Sequence, residues 1–125
     1  MGTNDKPRLV AIVDDDESIR SSLLGLMKAM DFRSQAFESA EEYLKSGEQR
    51  NTACLVTDIR LPGISGLELQ SKLNADHHRI PIIFITGHGD EKVRLQALRA
   101  GAVEFLMKPF DDQEMIDSIR AALES

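Results

Sequence analysis

Five polar residues that could bind a metal or a phosphoryl group follow short apolar runs of this 125-residue chain. Asp14 and Asp15 come directly after LVAIV, and Asp58 comes directly after ACLVT. Thr86 ends the run IIFIT, and Lys108 follows VEFLM. A carboxylate can ligate a hard divalent cation or attack phosphorus, whereas a hydroxyl and an ammonium group can bond phosphoryl oxygens. These residue types together indicate metal-assisted phosphoryl transfer.

The stretch VDDDES, residues 13–18, concentrates negative charge where a strand is expected to end. Carboxylates gathered in one cleft repel one another unless a cation joins them. Mg²⁺ suits such a cluster, because it binds one or two carboxylates and keeps several waters that a phosphoryl oxygen can replace; Mn²⁺ is an alternative. We therefore expect the acidic pair Asp14 and Asp15 to recruit a metal that lets another carboxylate accept a phosphoryl group.

Runs of apolar residues predict the strands that position these side chains. Four runs are typical of buried strands: Leu9–Val13, Ala53–Thr57, Ile82–Thr86 and Val103–Met107. The first three are almost continuously apolar, as in parallel strands that are covered on both faces. The more polar segment Phe32–Phe37 is predicted to be an edge strand.

Segments with helical periodicity lie between the strands and carry capping residues. The predicted caps are Asp16, Ser39 with Glu42, Ser65, Asp90, and Asp111 with Glu114. In the first helix the predicted inward positions are Ile19, Leu23, Leu26, Met27 and Met30. In the third helix they are Leu69 and Leu73, and in the fifth they are Met115, Ile116, Ile119 and Leu123.

The order strand–helix repeated five times predicts a single α/β domain over residues 1–125, with a parallel sheet and helices on both faces. The carboxyl ends of parallel strands lie at one edge of the sheet, where ligands bind. An aspartate after one strand is usually only a helix cap. Suitable residues at four strand ends predict a shared site.

Composition limits the other functions. The net charge of −6 argues against binding of nucleic acid through its phosphates. The single cysteine, Cys54, excludes an internal disulfide and favours a reducing, intracellular compartment. No apolar run approaches the roughly 20 residues that span a bilayer, so we expect no membrane contact.

Four segments in order, IVDDDESIR, LVTDIRLPGISGLEL, IIFITGHGD and GAVEFLMKPFDD, resemble the response-regulator receiver domain of two-component signalling, particularly receivers of the FixJ type. The resemblance implies a flavodoxin-like (βα)5 fold with strand order 2-1-3-4-5 and a cytoplasmic location. It implies that Asp58 accepts the phosphoryl group. Asp15 would ligate Mg²⁺ directly, Asp14 would act mostly through water, and Asp58 and the Arg60 carbonyl would complete the protein ligands.

The resemblance also implies a switch. Thr86 and Lys108 would each bond a phosphoryl oxygen, and Phe105 would turn inward as Thr86 moves. The Lys108–Pro109 peptide would be cis. Arg60 and His88 would flank the phosphate, whereas Asp16 would only cap the first helix.

The resemblance implies that the donor is a phosphohistidine on a histidine kinase. Such a domain phosphorylates and dephosphorylates itself, so it is not a classical enzyme.

Phosphorylation would alter the surface of the fourth helix, fifth strand and fifth helix, to control dimerisation or an output domain outside this chain. On the fourth helix we expect Leu95 and Leu98 in the core and Val93, Arg94 and Ala97 exposed as a partner surface. The alternative is a helix that is buried more deeply than usual.

Three rival functions remain open at this point. Asp14-x-Asp16 matches the nucleophile and acid of a phosphatase of the haloacid-dehalogenase kind, but Ser18 stands where that class needs Thr or Val. A flavodoxin-like flavin carrier would need a first loop rich in Ser, Thr and Gly, and VDDDES would repel its phosphate. A degenerate receiver that only binds partners is disfavoured, because all five site positions hold reactive residues.

Overall fold

The computed structural model describes residues 9–87 and 90–124. In this part of the chain five strands and five helices alternate. The strands are β1 Leu9–Val13, β2 Arg33–Phe37, β3 Thr52–Asp58, β4 Ile82–Thr86 and β5 Glu104–Met107. The helices are α1 Glu17–Ala29, α2 Ala40–Ser46, α3 Gly66–Ala75, α4 Glu91–Arg99 and α5 Asp112–Leu123. A short 3₁₀ turn at Glu48–Asn51, which the sequence did not predict, precedes β3.

The strands form one parallel sheet of order β2-β1-β3-β4-β5, as expected. The register pairs Val13 with Thr57, Asp58 with Ile85 and Thr86 with Met107. The carboxyl ends of β1, β3, β4 and β5 are therefore nearly level, and the residues that follow them share one edge.

Alternate residues of each strand point to opposite faces of the sheet, and each face has its own apolar layer. Ala11 and Val13 belong to the layer that also contains residues of α2, α3 and α4. Val10 and Ile12 belong to the layer that contains residues of α1 and α5. The sheet is thus covered on both sides, which explains the uninterrupted apolar runs of β1, β3 and β4. None of the helices in the described part of the chain has the length and hydrophobicity needed to cross a bilayer.

The predicted helix caps are present, with one difference. Asp16 accepts bonds from the backbone N–H groups of Ser18 and Ile19, and Asp90 accepts one from Lys92. At α2, Ser39 accepts a bond from the Glu42 N–H, but the Glu42 carboxylate accepts from Glu38 rather than from Ser39. The other two caps are as predicted: Ser65 lies at the start of α3, and Asp111 with Glu114 lies at the start of α5.

Two predicted helix faces differ from the structure. On α5, Leu123 is 37% exposed and Ala122 is buried. The reason is that positions seven residues apart lie on the same side of a helix, so Ala122 shares the inward side of Met115. On α4, Ala97 is buried and Val93 packs against the core, whereas Leu95 is 41% exposed and Leu98 is half-buried. The expectation of a surface formed by Val93, Arg94 and Ala97 was therefore wrong for Val93 and Ala97.

The physical reason lies in side-chain size. Alanine at position 97 lets the backbone of α4 approach the core closely, and this contact turns Leu95 outward because it lies two residues, or about 200°, around the helix. Arg94 is exposed, as expected. The alternative of a deeply buried α4 is also wrong, because Ala97 is the buried residue among its nine described positions.

Two side-chain amides of α3 hold the C-terminal end of α4. The Gln70 amide is buried and donates to the Ala97 carbonyl at 3.0 Å, and Asn74, one turn later, donates to the Ala100 carbonyl at 3.2 Å. The last carbonyls of a helix have no partner within the helix. These bonds therefore position a short helix that buries little apolar surface.

Replacement of Gln70 by Leu should leave the Ala97 carbonyl without its side-chain donor. The Ala97 carbonyl keeps its bond from the Ala102 N–H, so the change removes one hydrogen bond, which is worth about 0.5–1.5 kcal/mol, and amide hydrogen exchange in α4 should become roughly 2- to 10-fold faster. Gln49→Leu removes a comparable bond, to the Leu44 carbonyl, and should leave α4 unchanged. Equal exchange in α4 of wild type and Gln70→Leu would contradict this role.

The single cysteine is a core residue. Cys54 is fully buried in β3, and burial raises the pKa of its thiol to about 12. Because the thiolate is the reactive form, we expect a disulfide reagent at about pH 8 to modify Cys54 at the rate of unfolding rather than at the rate of a free thiol. The reaction should accelerate at least 100-fold in denaturing urea; fast modification of the native protein would contradict the prediction.

Candidate functional site

Three carboxylates meet at the carboxyl ends of β1 and β3. Asp14 is fully buried, Asp58 is 7% exposed and Asp15 is exposed. One carboxylate oxygen from each lies within 4.8 Å of the others. The structure therefore brings together the acidic pair and the separate aspartate that the sequence placed at one edge of the sheet.

Lys108 enters the same cluster from the end of β5. Its Nζ lies 2.8 Å from Asp58 Oδ2 and 3.1 Å from Asp14 Oδ2. Its backbone N–H donates to the Thr86 carbonyl at 2.7 Å, which extends the pairing of β4 with β5 by one residue. The Lys108–Pro109 peptide is cis, as the resemblance implied. Lys108 thus bridges two carboxylates that lie 44 residues apart in the sequence.

The other oxygens of these two aspartates are also held. Asp14 Oδ1 accepts the Asp16 N–H at 2.9 Å, and Asp58 Oδ1 accepts the Arg60 N–H at 3.0 Å. These bonds fix the orientation of both carboxylates. The Asp16 carboxylate caps α1 instead of joining the cluster, as expected, which removes the second acid that a phosphatase of the Asp-x-Asp type would need.

Arg20 supports the acidic turn, and the sequence reasoning missed it. Its Nη1 donates to the Asp14 backbone carbonyl at 2.8 Å. Arg20 lies four residues after Asp16, the cap of α1, so it is one helical turn further along and can reach back to the turn. That spacing in DDDESIR was the available signal.

Burial and charge act on the site in opposite directions. Burial raises the pKa of Asp14 above its ordinary value, although hydrogen bonds from Asp16 and Lys108 partly oppose this. Partial burial alone would lower the pKa of Lys108, but its bonds to Asp58 and Asp14 and their negative charge together raise it. At neutral pH Lys108 is therefore charged. One ammonium group faces three carboxyl groups, so the site favours an additional cation.

Thr86 ends β4, one residue beyond Ile85, which pairs with Asp58, and Phe105 lies on the neighbouring strand β5. Thr86 is 2% exposed at the end of β4, next to β3, and the N–H of Ile59, the residue directly after β3, donates to the Ile85 carbonyl. Phe105 is buried in the same apolar layer as Ala97 of α4. Its ring therefore lies inward in this structure. Arg60 is exposed, and His88 lies outside the described residues.

The oxygen donors fit a small hard cation. Opposite ligands of an octahedral Mg²⁺ ion are about 4 Å apart, so the cluster needs only small side-chain rotations to ligate it. Asp15 is exposed and can rotate, whereas Asp14 and Asp58 are held from both sides. The cluster of Asp14, Asp15 and Asp58 can therefore bind a metal ion.

Comparison with known protein families gives a match over residues 10–120 to the response regulator receiver domain. Nodulation protein W of Bradyrhizobium diazoefficiens is 49% identical over 116 residues, which are 93% of this chain and 51% of that protein. The transcriptional regulatory protein FixJ of Azorhizobium caulinodans is 42% identical over 114 residues, which are 91% of this chain and 54% of that protein. The chain spans about half the length of these relatives.

Solved structures agree with these relatives. The crystal structure of FixJ-N is 41% identical, with a TM-score of 0.84, and the match covers 98% of this chain and 96% of that one. The response regulator StyR is 44% identical, with a TM-score of 0.88 over 95% of this chain and 60% of that one. The family match, the relatives and the fold lead to one conclusion: the chain belongs to the response regulator receiver domain family of two-component systems.

Proposed function

We propose that this receiver domain, extending over residues 1–125, accepts a phosphoryl group on Asp58 from the phosphohistidine of a histidine kinase. The observation that supports it best is the position of Asp58, whose carboxylate lies beside two further acids and accepts a bond from Lys108 at 2.8 Å. In the transfer, a carboxylate oxygen of Asp58 forms a bond to phosphorus while the phosphorus–nitrogen bond breaks and its electron pair returns to the imidazole.

The acidic cluster has the role of a Mg²⁺ site in this proposal. Asp15 and Asp58 would bind the ion directly, Asp14 would bind mostly through water, and the Arg60 carbonyl would add a ligand. When bound, Mg²⁺ (or Mn²⁺) neutralises charge on the phosphoryl oxygens. Because Asp14 is buried and has little freedom to move, it defines the inner wall of the site.

Two residues of this chain stabilise the transferred group. Lys108 already bonds Asp58 and can shift to a phosphoryl oxygen without leaving the site. The Thr86 hydroxyl, on the neighbouring strand, can bond another oxygen. Charge that develops on equatorial oxygens is stabilised by donors that are positioned in advance. Hydrolysis of the aspartyl phosphate by water would return the domain to its starting state.

Phosphorylation would be read on the surface formed by α4, β5 and α5. A phosphoryl group adds roughly −1.5 to −2 charge at a fixed point, and a shift of Thr86 toward it would let the Phe105 ring, which already lies inward, repack beside it. Because Phe105 packs in the same layer as Ala97, its movement alters α4. Among the described residues, the exposed large apolar side chains of these three elements are Leu95, Met107 and Leu123, at 41, 45 and 37% exposure.

These residues, with Arg94, replace Val93 and Ala97 as the partner surface that we propose. Exposed apolar side chains at such positions suit a homodimer that forms on phosphorylation, or contact with an output domain or effector. The curated relatives include transcriptional regulators about twice as long as this chain, so an output domain that binds DNA is part of the proposal. We place the domain in the cytoplasm.

Acetyl phosphate tests the proposal without a kinase. Incubation with Mg²⁺ should increase the mass of the intact protein by one phosphoryl group, and EDTA should prevent the increase. Light scattering after chromatography should show whether the phosphorylated form dimerises. Hydrolysis of many equivalents of a general phosphomonoester would favour the phosphatase instead.

A further inference from the structure

The loop that joins β3 to α3, residues 59–65, follows the proposed acceptor and contains Arg60. Its base is closed by two bonds: the Gly66 N–H donates to the Ile59 carbonyl at 2.9 Å, and the Arg60 N–H donates to Asp58 Oδ1 at 3.0 Å. These bonds leave the apex, Gly63 and Ile64, to be held by another part of the molecule.

Glu41, in the first turn of α2, holds that apex. Its Oε2 accepts the Ile64 N–H at 3.0 Å across 23 residues of sequence. Gly63 has φ +76, and a Cβ on this residue would collide with the Glu41 carboxylate. Glycine is therefore required at position 63 for its left-handed backbone and for the close approach of this carboxylate.

The Glu41 carboxylate is ionised and only partly satisfied. The hydrogen bond from Ile64, followed by one from its own backbone N–H, lowers its pKa below the ordinary value. Its Oε1 is buried and has no hydrogen-bond partner among the described residues. The bond that this carboxylate makes to Ile64 joins α2 to a loop 23 residues further along the chain, so its effect is on the loop and not only on α2.

We propose that Glu41 is a positioning residue for the metal site: its carboxylate fixes the loop apex and thereby the direction of the Arg60 carbonyl toward the bound cation. The inference rests on the proposed function, because it needs the acidic cluster to bind Mg²⁺. Without the apex bond the loop samples further conformations, and only a fraction of the molecules is competent to bind Mg²⁺. The apparent Mg²⁺ affinity falls in proportion to that fraction. A charge-assisted hydrogen bond is strong enough to make that fraction about one tenth.

Isothermal titration of the whole chain with MgCl2 tests the proposal. Glu41→Ala removes the carboxylate, and Glu41→Asp shortens the side chain by one methylene. Each change should raise the Mg²⁺ dissociation constant about tenfold. Glu41→Gln keeps an oxygen acceptor at the same reach and should recover most of the affinity. The matched control is Glu42→Ala. Glu42 lies on the same helix as Glu41, and its carboxylate accepts the Glu38 N–H rather than a bond from the loop.

Urea unfolding in EDTA, followed by circular dichroism, verifies that each variant is folded at the temperature of the titration. If Glu41→Ala does not fold, Glu41→Asp decides the question. Wild-type affinity in the folded Ala or Asp variant overturns the proposal, as does equal weakening in Glu42→Ala, which would indicate a general effect of α2. A wild-type protein that binds no Mg²⁺ overturns the proposed function and this inference together; weak binding confined to the Ala and Asp variants supports both.

Discussion

Asp58→Asn is expected to abolish the Mg²⁺-dependent uptake of a phosphoryl group from acetyl phosphate. The amide has no anionic oxygen that can attack phosphorus, so the initial rate should fall at least 100-fold. Asn retains an oxygen that can accept the Arg60 N–H, which keeps the local backbone in place. Mass spectrometry of the intact protein measures the uptake directly.

The control for this variant is Asp15→Asn, which leaves the acceptor intact and removes a proposed metal ligand. It should still become phosphorylated, more slowly and only at higher Mg²⁺ concentration. The two variants therefore separate loss of the nucleophile from loss of the metal. A Mg²⁺-dependent gain of one phosphoryl group that survives Asp58→Asn would mean that another residue is the acceptor.

The convergence of this site could be predicted because it follows from a few strong regularities. Apolar runs marked the strands, their alternation with helices implied parallel pairing, and parallel pairing places all carboxyl ends at one edge. Asp14, Asp58 and Lys108 could therefore be assigned to one cluster before any contact was known. The structure adds that Lys108 bonds both aspartates, which depends on strand register and not on residue type.

The features that could not be predicted depend on close packing. On α4 the sequence offers two apolar stripes, and side-chain size favours the one with the larger leucines. The structure buries Ala97 instead, because a small residue allows a close approach that hydrophobicity alone does not reveal. The contacts of Gln70 with Ala97 and of Glu41 with Ile64 join residues 27 and 23 positions apart, and no local pattern announces them.

Lys108→Ala is expected to change metal binding and phosphoryl transfer in opposite directions. The ammonium group occupies Oδ2 of both Asp14 and Asp58, so it competes with a cation for the same negative charge. Its removal should tighten Mg²⁺ binding about tenfold at low salt. Phosphoryl uptake should nevertheless become about 100-fold slower, because a donor to the transferred group is lost.

The same variant should be less stable without metal. Asp14 is fully buried and Asp58 nearly so, and without Lys108 two carboxyl groups face each other with no shared cation. Removal of one partner of a buried pair costs about 3–5 kcal/mol, and since the Lys108 side chain is 20% exposed we expect about 2 kcal/mol at pH near 7.

This loss of stability should depend on pH in a defined direction. Burial already raises the pKa of Asp14, and loss of the ammonium group should raise it further. A carboxyl group with a raised pKa in the native state destabilises the protein when it is ionised, so the difference between wild type and variant should shrink as the pH falls from about 7 toward 4. Urea unfolding in EDTA at several pH values measures this trend.

Lys72→Ala, an exposed lysine of α3, is the control for the removal of one positive charge and should change neither Mg²⁺ affinity nor uptake. Mg²⁺ should stabilise Lys108→Ala more than wild type, because the stabilisation grows with the ratio of free metal to dissociation constant. A Lys108→Ala protein that binds Mg²⁺ more weakly than wild type would show that the ammonium group organises the carboxylates for the metal instead of competing with it.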